Sequence, residues 1–185
     1  MRIGIDIDDT ITNTTEKMME YIKKSGMDSD PSEDYCNYTT EQLDNYRKLL
    51  EKYIEPVLSS VTLKDGCVSA INKLKEEGNT IYIITARNNR YSNNIYDLTV
   101  DYLNKNGIIY DKLLFGYENK RDICIEEKID YMIDDNISVY DSLVDTSTKP
   151  ILFAKGDNKR KRVDSWTDML SFLNEEGYDG WRKNT

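Results

Sequence analysis

No histidine occurs among the 185 residues. That absence removes the Ser-His-Asp triad, the Cys-His pair, the HExxH zinc site and phosphohistidine chemistry together. Cysteine is scarce as well: Cys36, Cys67 and Cys124 are widely spaced, odd in number and form no CxxC pair. Neither a zinc site nor a disulfide framework is indicated, and small buried or partly exposed thiols are expected instead. No GxxxxGK[ST] string is present, which excludes a P-loop NTPase. Long apolar runs are also missing. A stretch such as Ile81 to Ile84 is far too short to cross a bilayer, so no membrane partner is expected. The early acidic residues Asp6, Asp8 and Asp9 do not suit a secretory signal, and a cytoplasmic location is expected.

Positive charge is in short supply. Lys and Arg total 25 against 34 Asp and Glu, for a net charge of −9. A surface for polymeric nucleic acid needs clustered cations, and the one basic cluster, Lys159 to Arg162, is short and isolated. It reads as a solvated basic loop. A small phosphate remains a reasonable ligand if a metal ion and a few cations set the local field. The 38% hydrophobic and 32% charged fractions describe an ordinary globular chain long enough for one domain, with or without a small accessory lobe.

Residues Arg2 to Ile7 alternate, with Ile3, Ile5 and Ile7 on one face, and read as a buried first strand. Asn13 and Glu16 have capping-box spacing ahead of a helix carrying Met18, Met19, Tyr21 and Ile22. A polar linker, Gly26 to Tyr38, precedes a second helix opened by Thr39 and Gln42. Its apolar positions Leu43, Tyr46, Leu49, Leu50, Tyr53 and Ile54 keep helical spacing up to Pro56. Helix and strand then alternate. Helices are expected at 65–77, 94–106 and near 120–127, from about 137, and from about 165 to 174. Strands are expected at 80–84, 112–115, 131–133 and 150–154. Strands separated by helices imply right-handed βαβ units and a parallel sheet covered on both faces. The expected fold is therefore a three-layer α/β/α core of residues 1–12 and 62–185, with a helical cap of residues 13–61 inserted after the first strand.

Ligands of open parallel sheets sit at the carboxyl ends of the strands. Four stations there carry polar residues: Asp6 to Thr10 after the first strand, Thr85 to Arg87 after the second, Lys120 near a helix start, and Asp134-Asp135 after the fourth. On an extended segment, Asp6 and Asp8 would point the same way. Converging carboxylates repel unless one is protonated or a cation lies between them. Mg²⁺ prefers oxygen ligands and is usually held by one or two carboxylates plus water and phosphate, and Asp135 could complete such a site. Each station alone has a bland explanation: a turn, a helix cap or a surface lysine. Together, in a fixed order at the ends of one sheet, they point to phosphoryl chemistry at a carboxylate.

The strand ending in Asp6-Ile7-Asp8-Asp9-Thr10 resembles the first motif of the haloacid dehalogenase superfamily. Ile81 to Thr85 resembles its second, Lys120 its third and Met132 to Asp135 its fourth. Aspartate at both Asp6 and Asp8 implies the phosphatase branch. The resemblance implies that Asp6 is the nucleophile and Asp8 the general acid and then base. Thr85 and Lys120 would hold phosphate oxygens, and Asp6, the backbone carbonyl of Asp8 and Asp135 would bind Mg²⁺. Asp134 would orient Lys120 or a metal-bound water, which keeps it among the metal-site residues. Lys112 and Lys128 compete with Lys120 by position. Asp9 stands where glycine is commoner, which is tolerable because aspartate accepts left-handed turn conformations.

The helical insert and the segment Lys161 to Trp166 resemble the 5′(3′)-deoxyribonucleotidase family, which implies a nucleoside monophosphate as the small phosphorylated substrate. Tyr35, Tyr38, Tyr46 and Tyr53 are available as a platform for a nucleobase, although helix packing explains Tyr46 and Tyr53 equally well. Arg87 has two readings, a contact to phosphate or sugar and an ion pair with a neighbouring carboxylate. A sugar-phosphate phosphatase is the alternative enzyme, and a catalytically silent metal-binding or signalling module the alternative of another class. A two-component receiver domain is disfavoured because its phosphoacceptor follows a middle strand, whereas here the Asp6–Asp8 pair comes first. Oligomeric state, a homodimer included, is open at this level.

Overall fold

The computed structural model describes residues 1–26, 39–156 and 159–182. Tyr35, Tyr38 and Cys36 lie outside these residues. The order is β1 (Arg2–Ile5), α1 (Thr14–Ser25), α2 (Thr40–Ser60), α3 (Cys67–Glu76), β2 (Thr80–Thr85), α4 (Ile95–Lys105) and β3 (Lys112–Phe115). Then come α5 (Arg121–Glu126), β4 (Tyr131–Asp134), α6 (Ile137–Leu143), β5 (Lys149–Phe153), β6 (Arg162–Val163) and α7 (Trp166–Arg182). The described strands form one parallel sheet in the order β3-β2-β1-β4-β5-β6.

Alternation along the strands divides the core. Ile81 and Ile83 of β2, with Tyr131 and Ile133 of β4, enter a cluster completed by Ile71 and Leu74 of α3 and Trp166 and Met169 of α7. Their neighbours Tyr82, Ile84 and Met132 enter a second cluster with Ile123 of α5 and Val139 and Leu143 of α6. Burial on both faces is what a parallel sheet between helical layers requires. Gly4 of β1 faces the second cluster, where an added Cβ would lie 2.7 Å from Met132 Sδ and 3.0 Å from Ile84 Cδ1. A side chain there would displace packed groups. The third cluster joins Met18 and Ile22 of α1, Leu49 and Val57 of α2, and Tyr102 of α4. It seats the α1–α2 pair beside the carboxyl edge of the sheet.

Several local expectations are corrected. The first strand stops at Ile5, because the chain turns at once: the amides of Thr10, Ile11 and Thr12 all donate to Ile7 O. Asn13 is the N-cap of α1 but makes no side-chain cap bond. Its amide donates to Thr62 Oγ1 at 3.0 Å and Leu63 O at 3.3 Å. The carboxylate of Asp9 takes over, accepting from Thr15 N and Thr15 Oγ1. The Thr39–Gln42 capping box is present, yet α2 runs through Pro56 to Ser60. Buried Val57 and Leu58 hold that last turn helical despite the missing N–H. The third helix starts at Cys67, after Gly66 with φ of 77°. The final helix continues past Gly177 to Arg182, and the short strand β6 was not anticipated. The basic cluster is partnered: Arg160 pairs with Asp141, and Arg162 with Asp164. Cys67 and Cys124 are buried free thiols.

Candidate active site

The strand order reverses direction at β1, since β2 and β3 lie on one side of it and β4, β5 and β6 on the other. A crevice opens at such a switch point, outside the carboxyl ends of the strands. Asp6 follows β1 and Asp134 ends β4, and the two strands are locked in register there by Asp6 N donating to Ile133 O at 3.0 Å. The side chains of Asp6, Asp134 and Asp135 bring one oxygen each to within 4.8 Å of one another. Lys120, 3% exposed at the start of α5, enters the same space. Its ammonium donates to Asp6 Oδ1 and, at 2.6 Å, to Asp134 Oδ2. Asp134 also accepts from Asn136 N at 2.9 Å, which fixes its plane. Of the three competing lysines only Lys120 is placed there: Lys112 pairs with Glu127 on the surface, and Lys128 occupies a turn with φ of 53°.

Charge in this space is unbalanced, with three carboxylates around one ammonium. Burial raises Asp6 to about 7, the attraction of Lys120 opposes it, and Asp134 and Asp8 add to the rise. Burial likewise pushes Asp135 up to about 8, reinforced by Asp6, Asp134 and Asp9. The same two carboxylates, Asp6 and Asp134, raise Lys120 against the opposing effect of its burial. Hard oxygen donors with surplus negative charge are the donor set that a small divalent cation such as Mg²⁺ takes.

Asp8 does not join that group through its carboxylate. The expected convergence with Asp6 fails because the chain leaves extended geometry after Ile5. Asp8 Oδ1 accepts from Thr14 Oγ1 at 2.6 Å and Arg87 Nη2 at 2.7 Å, and Oδ2 accepts from Arg87 Nε at 2.9 Å. Burial alone would raise Asp8, but Arg87 and Thr14 outweigh it and hold the carboxyl below its ordinary value. Of the two readings of Arg87, the ion pair is the one observed. Asp9 has φ of 56°, a left-handed conformation that aspartate accepts. Thr85 is fully buried, and its hydroxyl accepts from Arg87 N at 3.1 Å.

One connection was not legible in the chain. Trp166, fully buried, donates from Nε1 to Thr10 O at 3.0 Å. The Thr10 hydroxyl in turn accepts from Asp135 N at 3.1 Å and reaches Asp135 Oδ1 at 3.5 Å. The tryptophan that had served only as a family mark thus braces the loop carrying Asp8 and, through Thr10, the position of Asp135. A tryptophan at the start of a helix was the only available signal.

A cavity of about 270 Å³ opens beside Asp8, Asp9 and Arg87. Met18, Tyr46, Leu50, Ile54 and Leu58 of the helical pair form one wall, with Tyr91 and Ile95 opposite. A second cavity of about 820 Å³ shares Tyr46, Leu50, Asn88 and Tyr91 and ends among Arg47, Glu51, Arg90 and Glu118. Tyr53 instead packs on Tyr21, with ring centroids 5.4 Å apart. Among the described residues, no helix is long and apolar enough to cross a membrane.

The open parallel sheet, with acidic and basic groups gathered at its switch point, has the α/β fold of solved haloacid dehalogenase-like proteins. A haloacid dehalogenase-like hydrolase of Streptococcus pneumoniae matches with a TM-score of 0.66 at 12% identity, covering 93% of this chain and 97% of that one. A haloacid dehalogenase family hydrolase of Deinococcus radiodurans, solved with bound phosphate and sodium, also matches with a TM-score of 0.66 at 12% identity, covering 95% and 96%. At such identity these show the fold alone. In sequence, a nucleotidase of Clostridium acetobutylicum is 31% identical over 152 residues, which is 80% of this chain and 75% of that protein. Residues 1–175 match the family described as 5′ nucleotidase, deoxy (pyrimidine), cytosolic type C protein. The chain belongs to that nucleotidase family and is a phosphatase.

Proposed function

We propose that the protein is a Mg²⁺-dependent phosphomonoester hydrolase acting on nucleoside monophosphates through transient phosphorylation of Asp6. The observation that carries this is the group of buried Asp6, Asp134 and Lys120 with half-buried Asp135, two residues along the chain from a cleft that Asp8 lines. Mg²⁺ held by Asp6, Asp135, Asp134 and the backbone carbonyl of Asp8 would supply positive charge that lets a carboxylate approach a phosphate dianion. Asp6 then forms the new bond to phosphorus as the ester bond breaks. The Thr85 hydroxyl and Lys120 ammonium bind the phosphoryl oxygens, where charge builds in the transition state.

Asp8 gives a proton to the leaving oxygen and later takes one from the water that releases phosphate from Asp6. Arg87 and Thr14 hold the Asp8 carboxyl below its ordinary value; an arriving phosphate, itself negative, drives it toward the protonated form. Residues 13–61 act as a cap whose apolar face, with Tyr46 and Tyr91, receives the nucleoside. A sugar phosphate offers that wall little to bury, so the nucleotide is favoured.

The test is phosphate release from a panel of phosphomonoesters with and without EDTA. Nucleoside monophosphates should exceed sugar phosphates at least tenfold in kcat/KM, and EDTA should abolish turnover. Equal rates on both classes would reject the substrate, and turnover unaffected by EDTA would reject the metal.

A further inference from the structure

We propose that Arg87 is a positioning residue that aims Asp8 at the leaving group, rather than a ligand of the phosphoryl group; this rests on the reading of Asp8 as proton donor. A guanidinium grips a phosphate in bidentate fashion through one of two edges that carry parallel N–H groups, Nε with Nη2 or Nη1 with Nη2. In Arg87 the edge formed by Nε and Nη2 is already committed to Asp8, at 2.9 Å to Oδ2 and 2.7 Å to Oδ1. On the other side Nη1 donates to Thr99 Oγ1 of α4 at 3.3 Å, and Thr99 is itself anchored to Ile95 O at 2.7 Å. The side chain is only 4% exposed, whereas that of Asp8 is 33% exposed. Both residues line the cleft, and Asp8 is the more exposed of the two.

The two oxygens of Asp8 are engaged unequally. Oδ1 takes Thr14, Arg87 Nη2 and a longer contact from Arg87 Nε at 3.2 Å, while Oδ2 takes Nε alone. Oδ2 is therefore the oxygen left to exchange a proton. The backbone of Arg87 also donates to Thr85 Oγ1, so a single residue fixes both the proton donor and a phosphate-side hydroxyl. In the step concerned, protonated Oδ2 releases its proton to the ester oxygen as the P–O ester bond breaks and the bond from Asp6 to phosphorus forms. Water later restores that proton as its oxygen displaces Asp6 from phosphorus.

Leaving groups separate the two roles. A nucleoside alkoxide needs the proton, while p-nitrophenolate departs without one, and both esters carry the same phosphoryl group. The readout is kcat/KM, which covers the steps through phosphorylation of Asp6. Arg87→Met is expected to lower it about 100-fold for a nucleoside monophosphate, the scale of a general acid, and by less than about fivefold for p-nitrophenyl phosphate. Arg87→Lys, a point charge without the fork, should fall between wild type and Arg87→Met on the nucleotide. Asp8→Asn is the reference and should show the same selectivity. Equal losses on both substrates in Arg87→Met, or none on either, would overturn the inference, the first outcome assigning Arg87 to the phosphoryl group. If Asp8→Asn itself loses both substrates alike, the reading of Asp8 as donor falls first and takes the inference with it. Should Arg87→Met not fold, Thr99→Val carries the test, with a loss of threefold or more confined to the nucleotide supporting it and any other pattern rejecting it.

Discussion

The charged group at the strand ends, here called the floor, and the apolar wall of the neighbouring cleft are built on opposite terms. The floor consists of Asp6, Lys120, Asp134 and Asp135, charged groups at strand ends or a helix start, with Asp6, Lys120 and Asp134 each no more than 5% exposed. The wall consists of Met18, Tyr46, Leu50, Ile54 and Leu58, apolar or aromatic groups on two helices. Charge on the floor does not balance, so each group there is held by its neighbours and none can be exchanged alone. The wall has no charge to balance. Its effect is spread over area, and changes there should be graded where changes on the floor are all-or-none.

The largest expected contrast is in turnover. Asp6→Asn removes the attacking oxygen while keeping shape, and should lower kcat at least about 10⁴-fold, as losses of a nucleophile do. No single truncation on the wall should approach that. Phosphate release measured in Mg²⁺ decides it, and substantial residual activity in Asp6→Asn would end the comparison along with the covalent mechanism.

A second contrast lies in stability against pH. An unfolded aspartate titrates near pH 4, while burial raises Asp6 to about 7 and Asp135 to about 8. Between about pH 4 and 8 the folded protein therefore binds more protons than the unfolded chain, and its stability falls as pH rises through that window. Without metal, Tm should drop by several degrees from pH 5 to pH 8. Adding Mg²⁺ should raise Tm, and more at pH 8 than at pH 5, because only there does the cation replace missing positive charge. A flat Tm in EDTA across this range would show that the floor is not short of cations.

A smaller contrast is in binding. Tyr46 lines both cavities, and a base stacked on an aromatic ring gains roughly 1–3 kcal/mol. Tyr46→Ala should raise KM for a nucleoside monophosphate about tenfold, leave kcat nearly unchanged, and have little effect on a sugar phosphate. A fall in kcat on both substrates would place Tyr46 on the floor's side of the division.

How far each region was legible follows from the same division. The grouping of Asp6, Lys120, Asp134 and Asp135 was legible because strand ends and helix starts are local features, written in a few consecutive residues. The alternation of helix and strand was equally plain. What escaped depends on contacts between distant segments. Asp8 parts from Asp6 where the chain leaves extended geometry after Ile5, and its carboxylate is held by Arg87, 79 residues on. The helix cap moved from Asn13 to Asp9 because Asn13 was taken by Thr62, 49 residues on. Helix α2 ignored Pro56 because Val57 and Leu58 had a core to enter. Periodicity detects that a face is apolar; it does not name the partner that face will meet.

Trp166 offers the finest test, because it belongs to neither region yet is linked to the floor through Thr10. Its indole N–H is the partner of Thr10 O, 156 residues away, and its ring packs on Phe153 with centroids 5.5 Å apart. Trp166→Phe keeps an aromatic ring and removes that donor. A buried carbonyl left without a partner costs about 1–3 kcal/mol, and a domain of this size loses roughly 2–4 °C of Tm per kcal/mol. Activity at saturating Mg²⁺ should change by less than about threefold, since no reacting group moves. The Mg²⁺ concentration needed for half-maximal activity should nevertheless rise, because Thr10 is the link between the indole and Asp135. If Tm falls and the Mg²⁺ requirement does not, Trp166 supports the fold alone, and the brace on the metal-side carboxylate is not transmitted through Thr10.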